Sequence, residues 1–315
     1  MKKFILLFLS LVGISAGAQD WGVVNISVCN MRNTANFSAE MVSQALLGTP
    51  VQVLQISDNG NPWPEVVTPD DYSGWVHYAA ITVMSQEELK AWNAAPKVVV
   101  TALTGEVHAK ACARSATVSD VVAGDRLKHL GTQGAWLKVG FPDGREGFLR
   151  KTQGMPEKQW RKQLSQSPEA ILKTAKSMMG FPYIWAGMSP KGMDCSGFVR
   201  TVLFMHDIII PRDASEQAEV GERIEKLEDL QPGDLVFFGR FLQNRKPRVS
   251  HVGFYLGNGR FIHCMGLVKE GSLFPEDPLY DVFNTGRFLF GGRFLPFINQ
   301  DKQITTTLTN PFYAE

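Results

Sequence analysis

Three side chains in the second half of the chain could carry nucleophilic chemistry: Cys195, His251 and His263. Cys195 stands in Met193-Asp194-Cys195-Ser196-Gly197-Phe198. The apolar residues at 198, 199, 202, 203 and 205 fall on one face of a helix. Asp194 is placed to cap that helix, which puts Cys195 in its first turn. Backbone N–H groups there have no intrahelical partner and the dipole end is positive. Both effects favour the thiolate, which is the nucleophilic form. Taken alone, the same cysteine is equally well read as a small buried hydrophobe.

The histidines tip that balance. His251 belongs to the strand pattern Ser250-His251-Val252-Gly253-Phe254-Tyr255-Leu256, and His263 to Arg260-Phe261-Ile262-His263-Cys264. Gly257-Asn258-Gly259 between them reads as a hairpin turn. A two-residue loop would set the imidazoles on opposite faces. A three-residue loop would set His263 opposite Gly253, on the face of His251 and diagonal to it, roughly 7–8 Å away. The glycine would leave room for the approach, so the longer loop or an equivalent bulge is expected. A cysteine nucleophile needs a base, and the base needs a group that fixes its tautomer. His251 fits the base and His263 the orienting group. His77, His108, His129 and His206 have no comparable context.

These residues need a scaffold. Residues 168–179 form a helical pattern with Ser167 as cap and Pro168 at its first position. An aromatic-rich loop, 180–187, leads to the cysteine helix, and a short helix is expected over 215–220. Strands are expected at 234–238, 249–256, 261–264 and 287–296. Helices before strands make this an α+β unit. Upstream lie two small β-rich stretches, 23–84 and 97–153, joined by a helical connector at 86–94. They repeat each other. Trp63, Val66, Asp70, Gly74, Trp75 and Val76 match Trp136, Val139, Asp143, Gly147, Phe148 and Leu149, every pair 73 residues apart. The expectation is a strand, a tight turn, a glycine permitting close approach, and an aromatic plugging a small barrel. Residues 154–167 read as a linker. The tail, 299–315, is polar and is expected to be loosely ordered or laid on the surface.

The N-terminus reads as an export signal: Lys2 and Lys3, an apolar run over 4–14, then Ala16-Gly17-Ala18 as the cleavage site. The run is short for a membrane anchor, and none is expected after cleavage. A periplasmic or secreted protein follows. With 32 basic and 31 acidic residues, the formal net charge of +1 gives no reason to expect a nucleic-acid partner. The cysteines, Cys29, Cys112, Cys195 and Cys264, show no disulfide framework, although Cys29 with Cys112 stays open. No metal-binding spacing occurs, and no cofactor is expected.

The motifs Asp194-Cys195-Ser196-Gly197-Phe198, Gly233-Asp234-Leu235-Val236-Phe237-Phe238 and His251-Val252-Gly253-Phe254-Tyr255-Leu256-Gly257-Asn258-Gly259, followed by His263, resemble the NlpC/P60 family of papain-like cysteine peptidases. The duplicated β units resemble bacterial SH3-like domains. The resemblance implies the order signal peptide (1–18), two SH3-like units (19–90 and 96–154), an NlpC/P60 unit (165–300) and a tail (301–315). It implies hydrolysis of the D-γ-glutamyl–diamino acid bond in peptidoglycan stem peptides, with Cys195 as nucleophile, His251 as base and His263 as third catalytic residue. The whole architecture is similar to γ-D-glutamyl-L-diamino acid endopeptidases, in which the first β unit walls the site and an acid there meets the free amine of L-Ala. By that resemblance Glu40 and Tyr72 come from the first unit, and Tyr183, Trp185, Asp194, Ser196, Asp213 and Ser215 line the catalytic side. Asp213-Ala214 stands where relatives often carry Asp-Ser, which bears on the serine contact. A monomer acting on muropeptides is expected. Two other readings stay open: a wall-binding protein with an inactive peptidase unit, and an amidase or acyltransferase on the same fold.

Overall fold

The computed structural model describes residues 20–58 and 60–314; the expected export signal lies outside them. Seven strands form the first sheet: β1 (Asp20–Val24), β2 (Val28–Arg32), β3 (Met41–Leu46), β4 (Pro50–Asp58), β5 (Pro62–Val67), β6 (Ser73–Trp75) and β7 (Ile81–Met84). Helix α1 (Gln86–Ala94) follows, opened by a capping box between Ser85 and Glu88. The second sheet comprises β8 (Lys97–Val100), β9 (Thr104–His108), β10 (Thr117–Val122), β11 (Arg126–Gln133), β12 (Trp136–Gly140), β13 (Glu146–Arg150) and β14 (Gly154–Pro156). The strand orders are β3-β2-β6-β5-β4-β1-β7 and β10-β9-β13-β12-β11-β8-β14, the same order shifted by seven. The register repeats too, with Val66 opposite Gly74 and Val139 opposite Gly147.

Close packing explains the repeated glycine. A Cβ on Gly147 would lie 2.5 Å from Val107 Cγ1. The aromatics after the glycines do not plug the interiors: Trp75 and Phe148 are only half-buried. Strand alternation turns them outward, and the next residues, Val76 and Leu149, point into the cores of the two units. Residues 154–167 are not a plain linker. They supply β14, which pairs with β8, and helix α2 (Glu157–Gln163), which buries Trp160.

The last unit begins with α3 (Pro168–Ser177), capped by Ser167 as expected. A small ribbon, β15 (Met188–Ser189) and β16 (Gly192–Met193), leads into α4 (Cys195–Phe204) and the short α5 (Ala214–Gln217). A six-stranded sheet follows: β17 (Glu222–Ile224), β18 (Leu235–Phe241), β19 (Pro247–Gly257), β20 (Arg260–Met265), β21 (Leu267–Ser272) and β22 (Phe288–Arg293), with α6 (Val282–Thr285) before the last strand. Its order is β17-β22-β18-β19-β20-β21. β17 and β21 escape sequence reading because charged residues interrupt their alternation. Helix α4 packs Phe198, Val202 and Leu203 into one core with Val252, Phe254 and Ile262. The opposite sheet face holds Phe238, Tyr255 and Phe261, and against these rings stand both histidines.

The units are locked together. Gln44 Oε1 accepts the Met188 N–H at 2.7 Å. Asp70 forms an ion pair with Arg200 of α4 at 3.1 Å, both side chains almost fully buried. The tail is not loose. Ile304, Thr306, Asn310 and Phe312 are buried, Thr305 bridges to Ile209, and Asn310 Nδ2 donates to the Pro69 carbonyl at 2.7 Å. Its two apolar anchors and the Asn310 amide offset its polar composition. All four cysteines are free; Cys29 is buried and Cys112 exposed, which rules out their pairing here. No helix among the described residues is long and apolar enough to cross a membrane.

The buried pair yields a test. Asp70→Ala leaves the Arg200 guanidinium desolvated without its counter-charge, a loss of about 3–5 kcal/mol. The melting temperature should fall by several degrees in calorimetry, and a change below one degree would contradict the role given to this pair.

Candidate active site

The hairpin settles the question of the two imidazoles. Its ladder pairs Gly253 with His263, then Phe254 with Ile262 and Tyr255 with Phe261, and closes at Gly257 opposite Arg260 after a register shift. The turn is short, and the bulge near Leu256 restores the register that a longer loop would have given. His251 Nε2 and His263 Nδ1 therefore meet at 2.7 Å. Gly253 makes room, since a Cβ there would lie 2.9 Å from His263 Cβ. Both rings are buried, His263 completely. Burial pulls His251 down to about 3, with the neighbouring His263 adding to the effect. Burial likewise pulls His263 down to about 4, with Asp281 acting the other way. Both imidazoles are thus neutral at pH 7.

Cys195 opens α4. Asp194, in extended conformation, caps the helix by accepting the Gly197 N–H at 2.7 Å. Its carboxylate also accepts the Ala186 N–H at 3.0 Å and takes both terminal nitrogens of Arg212, at 3.2 and 2.7 Å. Arg212 Nη1 donates to Ser196 Oγ at 2.8 Å. Gly197 lets the helix start press on the preceding loop, for a Cβ there would meet the Gly187 carbonyl oxygen at 1.9 Å.

The expectation that this position favours a thiolate is overturned. Burial pushes the Cys195 thiol up to about 11, and the Asp194 carboxylate adds to the rise. The N–H groups of Ser196 and Val252, and the Arg212 charge, act in the opposite direction and lose. Burial, with the capping carboxylate next door adding to it, thus outweighs what the helix start offers.

Cys195 is partly exposed in a cleft of about 310 Å³. Glu40, Tyr72, Tyr183, Trp185, Asp213 and Ser215 all line it. Glu40 sits on the loop entering β3, and its Oε1 accepts the Trp185 Nε1–H at 3.0 Å, joining the first unit to the last across the cleft mouth. Burial raises the Tyr72 and Tyr183 hydroxyls and the Asp213 carboxyl above their ordinary values. Asp194 and Ser196 also border the cleft, but their polar atoms are engaged with Arg212 and the α4 backbone. These bonds hold the start of α4 in place at the cleft edge. Val249 and Ser250, which lead into His251 on β19, line the cleft as well.

Sequence reasoning missed two residues. Arg212 is fully buried; its one signal was a charge closing the apolar run Ile208-Ile209-Ile210-Pro211. Asp281 has its Oδ2 3.9 Å from His263 Nε2, and no spacing announced it.

Residues 180–273 match the NlpC/P60 family, and residues 31–81 match the family described as bacterial dipeptidyl-peptidase Sh3 domain. A Bacillus cereus protein named gamma-D-glutamyl-L-lysine dipeptidyl-peptidase is 33% identical over 244 residues, which are 75% of this chain and 71% of that protein. A Bacillus subtilis protein of the same name is 34% identical over 137 residues, 44% of each chain. The crystal structure of an NlpC/P60 family protein from Bacillus cereus superposes with a TM-score of 0.73 at 26% identity, covering 88% of this chain and 100% of that one. With SH3-like β units ahead of an α+β unit that holds the cysteine and the paired histidines, the chain belongs to the NlpC/P60 family of cysteine peptidases.

Proposed function

We propose that the protein is an exported endopeptidase that hydrolyses the D-γ-glutamyl–diamino acid bond of peptidoglycan stem peptides bearing a free N-terminal L-Ala. The observation that carries this reading is the cleft itself: Cys195 lies across from a carboxylate, Glu40, contributed by a different unit of the chain. The names of the Bacillus relatives support the substrate class, and the export signal supports a wall location.

In this mechanism Cys195 Sγ bonds to the γ-carbonyl carbon of D-Glu as its proton passes to His251 Nδ1, the ring nitrogen left over by His263. The Cys195 N–H, which has no intrahelical acceptor, stabilises the oxyanion. The C–N bond then breaks, and His251 returns the proton to the departing amine. Water attacks the thioester and gives a proton to His251. The C–S bond breaks, and the sulfur recovers that proton. Because thiol and imidazole both start neutral, proton transfer accompanies attack rather than preceding it.

Glu40 and Asp213 receive the substrate's ammonium group, with Tyr72 beside them. An acylated amine would leave these carboxylates without a counter-charge, and Asp213 is half-buried. Mass spectrometry of free L-Ala-D-γ-Glu-diamino acid and its N-acetyl form should show the free peptide cleaved about 10- to 100-fold faster. Equal rates would remove amine recognition; cleavage of neither peptide at the γ-bond would sink the substrate assignment.

A further inference from the structure

We propose that Asp281 is a positioning residue that selects the tautomer of His263 and, through it, the basic nitrogen of His251. The proposal rests on the reading of His251 as the base.

His263 is wholly buried, and its Nε2 has no hydrogen-bond partner among the described residues. The Asp281 carboxylate faces that nitrogen, with Oδ2 at 3.9 Å. This is too long for a hydrogen bond, but close enough for the charge to weigh one tautomer against the other. The carboxylate is fixed in place. Asp281 caps α6, with Oδ1 accepting the Asn284 N–H at 2.9 Å. Its Oδ2 accepts the side-chain amide of the fully buried Asn284 at 2.7 Å. Its own N–H donates to the Ser272 carbonyl at 2.9 Å, which ties it to β21 beside the histidine strand.

The 2.7 Å bond between the rings carries one proton. If His263 Nδ1 donates it, His251 Nε2 is the acceptor and neutral His251 holds its hydrogen on Nδ1. That nitrogen could then take nothing from a thiol. If His251 Nε2 donates, Nδ1 is free to act as a base, and neutral His263 must carry its hydrogen on Nε2. An anion facing His263 Nε2 favours this second arrangement. The other charged groups that act on the pair are Lys269, opposite His263 on β21, and Arg287. Both are cations: Lys269 disfavours a proton on both rings and Arg287 one on His251. Asp281 is the acid that acts on both rings.

The test uses the full-length protein with 15N-labelled histidine. Asp281→Asn removes the charge, keeps the size and preserves a good capping side chain. In the wild type, His263 should be protonated on Nε2 and bare on Nδ1. In Asp281→Asn that preference should be lost, with kcat down about 10-fold and KM within about twofold. The sign of the pH effect is fixed as well. Asp281 raises the affinity of both rings for protons, so its removal should move the acid limb of kcat/KM, already below the ordinary histidine value near 6.5, further toward acid. Asp281→Glu should restore part of the rate. An unchanged His263 tautomer in Asp281→Asn would overturn the proposal, as would unchanged kcat, or a loss that tracks only a lower melting temperature. The tautomer is read without substrate, so failure of the peptidase reading would appear separately, as a wild type that cleaves no stem peptide.

Discussion

Cys195→Ala should lower kcat/KM on stem peptides by at least about ten-thousand-fold while leaving the melting temperature within about 2 °C of the wild type. The two halves of that expectation have different origins. The sulfur lies partly exposed at the cleft, and the capping bonds of α4 run through Asp194 and Gly197 without it. Little packing is lost and no charge is stranded. The chemistry, by contrast, loses the atom that bonds to the carbonyl carbon, and no other thiol can substitute: Cys264 is sealed in the core, its Sγ against the Met193 carbonyl. His251→Ala should cost nearly as much, and the double variant little more than either alone, because nucleophile and base act as one unit. Initial rates by chromatography, beside thermal melts, read both halves. Residual activity within tenfold of wild type would remove Cys195 from its assigned role.

The second large effect concerns stability and activity together. Arg212→Met should destabilise the protein by about 3–5 kcal/mol, because it strands the buried Asp194 carboxylate. At about 2–4 °C per kcal/mol for a unit of this size, the melting temperature should fall by roughly 10 °C. Activity should fall further than stability alone implies. Arg212 holds the carboxylate that caps the cysteine helix and opposes that carboxylate's upward push on the thiol. Arg212→Lys should rescue only part, since one ammonium cannot reproduce the forked contact with both carboxylate oxygens. Adding Asp194→Asn to Arg212→Met should recover stability by removing the stranded charge. A melting temperature for Arg212→Met within one degree of wild type would show that the pair does not support the site.

How much of this was legible beforehand divides along physical lines. Local rules sufficed for the cap at Asp194, the helix that follows, and the need for Gly253 to face His263; each follows from spacing within a dozen residues. The repeated β unit was legible because six matched residues recur without a gap. Features that depend on distant partners were not. Arg212 gains its meaning only when folding brings it to Asp194, 18 residues earlier. Asp281 reaches the histidines only through the path of β21 and α6. The tail read as loosely ordered or laid on the surface because composition cannot register that Asn310 has a carbonyl waiting in the first unit. The thiolate expectation failed for a related reason. The rule for helix starts describes an exposed terminus, whereas here burial and a neighbouring carboxylate compete with it.

The shared strand order of the two β units has a consequence for their history. Tyr72 of the first copy corresponds, 73 residues on, to Arg145 of the second. The tyrosine borders the catalytic cleft, whereas the arginine reaches back to donate to the Asn25 carbonyl of the first copy at 2.6 Å. One ancestral position has thus become a gatepost in one twin and a clasp in the other. The twins have ceased to be interchangeable, and a chimera carrying the first copy twice would double the gate while losing one of the bonds that fasten the pair.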